Sequence, residues 1–94
     1  MADKPPMKIR DDIPEGVSFF DEVIICKKSD EEKAFSAKCT HLGCIINREI
    51  DGEPVCPCHG SRFDINGEPV RGPARKRLKQ LELKKQNGSI IIKV

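Results

Sequence analysis

Apolar residues come in short runs along this chain rather than at helical spacing. The stretches EVIICKK (22–28), KAFSAK (33–38), CIINREI (44–50), GEPV (52–55), SRFDI (61–65), LKQLELKK (78–85) and SIIIKV (89–94) are rich in Val, Ile, Phe and Leu. Turn residues separate them, which is the chemistry of short strands. Asp51-Gly52, Asn66-Gly67 and Asn87-Gly88 mark hairpins, because both central positions of a type I′ turn need positive φ. Leu78, Leu81 and Leu83 offer the beginning of a helical face, but Asn87-Gly88 and the β-branched ending favour a hairpin over 78–94. Residues 1–16, with Pro5, Pro6 and Pro14 among many charges, read as an arm with little secondary structure, and 17–94 as one domain. The expectation is all-β: short antiparallel strands with loops inserted at 39–44 and 56–61. The hairpin around Asp51-Gly52 brings those two loops side by side.

Size changes this picture, because a chain of 94 residues buries only ~60 to 65% of its unfolded surface and stays marginally stable. With four Phe and neither Trp nor Tyr, it has few large side chains to fill an interior, so a metal or disulfide staple is expected. Of the five cysteines, four lie between positions 39 and 58 together with His41 and His59, the two histidines of the chain. Clustering with histidine favours metal over a secreted disulfide scaffold. Cys26, in VIICKK, reads instead as a buried unpaired thiol on a strand. The chain has no apolar run long enough to span a membrane and no signal-like N-terminus, so as given it reads as cytoplasmic. The charge is uneven: residues 1–70 carry 9 Lys+Arg against 14 Asp+Glu (−5), and residues 71–94 carry 8 against 1 (+7). No aromatics interleave with the basic residues of RGPARKRLK, which argues against nucleic acid. A solvated strand edge and a docking patch for an acidic partner remain.

The stretches CTHLGC (39–44) and CPCHGS (56–61) supply six metal-ligating side chains: Cys39, His41, Cys44, Cys56, Cys58 and His59. Zinc and small iron-sulfur centres take four protein ligands. A division into Cys39 with His41 and Cys56 with His59 gives each loop one thiolate and one imidazole and leaves Cys44 and Cys58 over. A structural zinc site of Cys3His or Cys2His2 type stays open on residue count alone, although it leaves two ligating groups idle.

The double motif resembles the Rieske iron-sulfur proteins, and within them the high-potential branch of quinol-oxidising cytochrome bc complexes. The likeness runs through GSRFD and VRGPARKRL, covering about residues 39–78. It implies one 2Fe-2S cluster per chain, with Cys39 and Cys56 on one iron and His41 and His59 on the other, and a Cys44–Cys58 disulfide joining the loops. It also implies a small antiparallel domain whose two loops bind the cluster. Gly43 and Gly60 are expected to let backbone N–H groups approach the sulfides, Ser61 to set its hydroxyl on a sulfide, and the Gly72-Pro73 loop to cover the cluster. Phe63 departs from the pattern: the bc-complex branch carries a tyrosine there that donates to a cysteine sulfur.

The function this resemblance implies is one-electron transfer. No nucleophile–base pair, carboxylate dyad, phosphate loop or dinucleotide fingerprint occurs, so an electron carrier is expected rather than an enzyme. Redox proteins are expected to dock transiently at the histidine face, with quinol a further candidate. The first reading is a soluble Rieske ferredoxin between a reductase and an oxygenase. The second is the soluble domain of a quinol-oxidising cytochrome bc-type complex, which the Cys44/Cys58 pair favours and Phe63 weakens. A Rieske subunit of a molybdenum oxidoreductase is a third.

Overall fold

The computed structural model describes residues 5–94. Ten strands run in order: β1 (Met7–Arg10), β2 (Gly16–Phe20), β3 (Val23–Lys28), β4 (Glu31–Ser36), β5 (Arg48–Ile50), β6 (Glu53–Val55), β7 (Arg62–Phe63), β8 (Pro69–Arg71), β9 (Gln80–Gln86) and β10 (Ser89–Lys93). No helix occurs among the described residues. The strands form a six-stranded sheet, β1-β10-β9-β4-β3-β2, and a four-stranded sheet, β5-β6-β7-β8. All pairings are antiparallel, so the all-β expectation holds.

The core arises from strand periodicity. Successive side chains on β3 point to opposite faces, and the run Val23-Ile24-Ile25-Cys26 is buried throughout. Ile24 and Cys26 therefore join Phe35, Ala37, Phe63 and Leu78 in one apolar cluster, while Val23 and Ile25 join Ala34, Ile90 and Ile92 in another. The first cluster also contains Cys39 and Cys56. The two Cys/His loops thus rise directly from the main core.

The structure corrects the reading of residues 1–16 as an arm with little secondary structure. β1 lies within that stretch and pairs with β10, Met7 opposite Ile92 and Ile9 opposite Ile90. Met7 and Ile9 turn inward and Lys8 and Arg10 outward, so a strand of period 2 was concealed among charges; Pro5, Pro6 and Pro14 sit outside it, where no ladder donor is needed. The Lys27 ammonium also donates to the Ile13 carbonyl at 3.0 Å, and Ile13 is buried.

Two of the three expected hairpins form as anticipated. Asp51 and Gly52 (φ 51° and 80°) link β5 to β6, and Asn87 and Gly88 (φ 49° and 76°) link β9 to β10. Asn66-Gly67 joins β7 to β8 differently. Gly67 alone of the pair has positive φ, at 78°, and the Asp64 carboxylate accepts from the Asn66 and Glu68 amides, each at 2.9 Å. A Cβ on Gly67 would sit 2.7 Å from the Phe35 ring. Because Phe35 is fully buried, only glycine fits there.

Candidate metal centre

The loops at 39–44 and 56–61 are conformational copies. In each, the N–H of the leading cysteine donates to the carbonyl five residues on: Cys39 to Cys44, and Cys56 to Ser61, both at 2.8 Å. In each, the glycine N–H donates back to that cysteine's carbonyl: Gly43 to Cys39 at 2.9 Å, and Gly60 to Cys56 at 3.0 Å. The glycines have φ of 80° and 79°, a left-handed conformation that side chains disfavour. Their own amides close the turns, and what glycine supplies is the backbone conformation. His41 and Cys58 then occupy the third place of their loops, Leu42 and His59 the fourth, and Cys44 and Ser61 the last.

This equivalence arranges the chemistry in layers. The leading cysteines, Cys39 and Cys56, are buried at the base, each 3% exposed. The imidazoles of His41 and His59 are exposed, with ring centroids 5.2 Å apart and the rings edge to face. Burial pushes the Cys39 thiol above its ordinary value; the neighbouring Cys56 thiol adds to this, while the His41 backbone N–H and the Ser61 hydroxyl oppose it. A group that stabilises thiolate at Cys39 therefore also relieves a desolvation cost.

Cys44 and Cys58 are joined in a disulfide, bridging the last place of one loop to the third place of the other. Their sulfurs lie with that of Cys56 within a 4.8 Å grouping. Bonded sulfurs have no thiolate to offer a metal, so the disulfide is a clamp beside the centre and the donors that remain free are Cys39, Cys56, His41 and His59.

A third segment, after β8, closes over the pair. The fully buried Ser61 accepts at Oγ from the Ala74 N–H at 2.9 Å, and Thr40 Oγ1 donates to the Lys76 carbonyl at 2.6 Å. The stretch is tied to both loops at once. Gly72 and Pro73 themselves are exposed and the buried member is Ala74, so the covering atom nearest the core comes one residue later than the Gly-Pro dipeptide suggests. Phe63, fully buried, shares the core cluster with Cys39 and Cys56, and its ring brings no hydroxyl. The hydrogen bonds from Thr40 to Lys76 and from Ala74 to Ser61 left no signal that sequence reading could find, because each joins residues far apart in the chain.

Two buried thiols and two exposed imidazoles, on twin loops clamped by a disulfide, make up the sulfur and nitrogen donor set of a small iron-sulfur domain. The chain belongs to the Rieske [2Fe-2S] domain family, whose description matches residues 3–82. The cytochrome b6-f complex iron-sulfur subunit of Chlorobaculum thiosulfatiphilum is 39% identical over 87 residues, 86% of this chain and 48% of that protein. The subunit of the same name from Chlorobaculum tepidum is 33% identical over 89 residues, 49% of its length. The chain thus spans about half the length of these curated relatives. Among solved structures, the cyanobacterial plasma membrane Rieske protein of Synechocystis PCC 6803 aligns with TM-score 0.69 and 29% identity over 83% of this chain and 84% of that one. The ferredoxin of carbazole 1,9a-dioxygenase from Nocardioides aromaticivorans IC177 shares the fold, with TM-score 0.69 and 23% identity over 95% and 97% of the two chains. As a member of this family the chain carries a 2Fe-2S cluster and transfers electrons. The four free donors fit that group in number and kind.

Proposed function

We propose that Cys39 and Cys56 hold one iron and His41 and His59 the other, and that the chain is a high-potential one-electron carrier serving quinol oxidation. The cluster supplies a one-electron acceptor whose potential is raised because neutral imidazoles stand where ferredoxins of the plant type have thiolates. The chain's own residues do the rest. The apolar base around Cys39 and Cys56 keeps water from the sulfur side, and the exposed His41 and His59 edges are where an electron enters or leaves. Leu42, 68% exposed beside His41, gives that edge an apolar contact for a partner surface.

The Cys44–Cys58 disulfide is the observation that carries the quinol-side reading, since the ferredoxins of oxygenase systems generally lack such a pair. The likeness to cytochrome b6-f iron-sulfur subunits supports it. The expected midpoint potential lies in the upper part of the Rieske range of about −150 to +300 mV, above roughly +100 mV. A redox titration followed by EPR measures it. A midpoint near the bottom of that range would support the second reading, a soluble ferredoxin working in the cytoplasm between a reductase and an oxygenase.

Phe63 favours that second reading, because an aromatic ring without a hydroxyl gives the sulfurs no hydrogen bond from this position. A hydrogen bond to a charged acceptor is worth roughly 1.5–3 kcal/mol, and for one electron 59 mV corresponds to about 1.4 kcal/mol. Only part of that differs between redox states. Phe63→Tyr is therefore expected to raise the midpoint by some tens of millivolts, up to ~100 mV. An unchanged midpoint in a correctly loaded variant removes position 63 from the control of potential.

A further inference from the structure

We propose that the cluster end docks an acidic redox protein, one of whose surface carboxylates enters the cleft between His41 and the segment after Gly72-Pro73. This extends the proposed function by naming the chemistry of the partner, and it rests on electron exchange taking place at the histidine edge.

The cleft is lined by Thr40, His41, Pro73, Arg75 and Lys76. Neither ligand loop, 39–44 or 56–61, nor the segment 71–79 contains an Asp or Glu. Two arginines that flank this end are already neutralised: Arg62 pairs with Glu53 at 3.1 Å and Arg77 with Glu68 at 3.4 Å. Arg71, Arg75 and Lys76 are exposed, and no ion pair or side-chain hydrogen bond holds them among the described residues. The positive charge around the cluster is therefore uncompensated within the chain.

The charge is also held in place. The backbone carrying Arg75 and Lys76 is fixed by the Ala74 amide on Ser61 and by Thr40 on the Lys76 carbonyl. A partner then orders two side chains rather than a loop, which lowers the entropic cost of docking. Residues 1–70 carry −5 and residues 71–94 carry +7, so an acidic surface is repelled by much of the chain's remainder while being drawn to this segment. Such asymmetry steers orientation and speeds encounter. No Phe, Tyr or Trp lines the cleft, so the large rings on which the bases of a nucleic acid chiefly stack are missing from it.

The test uses the cluster-loaded, reduced protein, after its midpoint and EPR signal have confirmed the electron carrier independently. Its oxidation is followed in rapid mixing with native cytochrome c, whose surface is basic, and with the same protein after its lysines are succinylated. At low salt the succinylated form is expected to react faster, with a rate that falls as salt is raised. Arg75→Gln with Lys76→Gln is expected to slow it roughly three- to tenfold and flatten the salt dependence, with the EPR signal retained. Lys8→Gln with Lys84→Gln removes the same charge from the six-stranded sheet and is expected to leave the rate within about twofold. The proposal is overturned if the two double variants slow the reaction equally, if salt has no effect, or if native cytochrome c reacts faster at low salt. Inhibition by inorganic phosphate at constant ionic strength would overturn it too, assigning the cleft to a small anion.

Discussion

Cys39→Ala is expected to give a colourless chain without iron or labile sulfide, while Cys26→Ala keeps both. The comparison isolates ligation from packing. Both residues belong to the same apolar cluster, and exposures of 3% and 4% make the cavity left by either deletion a similar cost. Cys26 differs in its chemistry: burial first, then the Asp64 carboxylate, lift its thiol to about 11 from 9.0, with Lys33 opposing. The folded state favours the neutral thiol, so the contribution of Cys26 to stability is complete below pH 9.0 and is lost as pH rises through about 11. It is a buried, unpaired thiol packed in the core. Cluster binding in a chain this small is folding energy. Loss of several kcal/mol should lower the melting temperature of the Cys39 variant by at least ~15 °C, at ~4–8 °C per kcal/mol for a domain of this size. Iron and sulfide analysis with thermal melting decides it. Full iron and an unchanged EPR signal in Cys39→Ala would remove Cys39 from the ligand set.

The parts of the fold legible in the sequence were those with local causes. Val23-Ile24-Ile25-Cys26, Ser89-Ile90-Ile91-Ile92 and the turns at Asp51-Gly52 and Asn87-Gly88 each carry their structure in adjacent residues, and strands and hairpins form there accordingly. β1 escaped because Met7 and Ile9 are two apolar residues in a charged, proline-flanked stretch, and what makes them a strand is β10, some eighty positions away. β2 and β3 turn at Asp21 and β3 and β4 at Ser29, both at positive φ (52° and 57°) without glycine, so neither turn announced itself. In the metal centre the six Cys and His positions were visible as a motif. Their layering was not, because it depends on two loops adopting one conformation. Reading Cys39-x-His41 beside Cys56-x2-His59 suggests different loops; the hydrogen bonds from Cys39 and Cys56, Gly43 and Gly60 make them the same loop with the imidazole moved by one place. The basic segment 71–79 illustrates the remaining gap. Its charge was evident, but its position over His41 arises from Thr40 and Ser61, which no local pattern connects to it.

Removing the disulfide is expected to separate cluster retention from cluster ligation. The bond between Cys44 and Cys58 has a sequence separation of 14, and closing a loop of about 15 residues is worth roughly 3 kcal/mol through the unfolded chain. The clamp matters further because the two loops have different supports. Cys39 comes after β4 of the six-stranded sheet, whereas Cys56 stands between β6 and β7 of the four-stranded sheet. Without the clamp, the loops are coupled through the β5–β6 hairpin and the segment tied to Thr40 and Ser61. All four free donors survive in Cys44→Ala/Cys58→Ala, so the cluster should still assemble in the cold. Its visible absorbance should vanish on heating some 12–24 °C earlier than in the unaltered chain. Cluster loss within about 2 °C of the unaltered chain would mean that the hydrogen-bonded segment 72–76 already holds the loops together, and that the disulfide serves something other than their alignment.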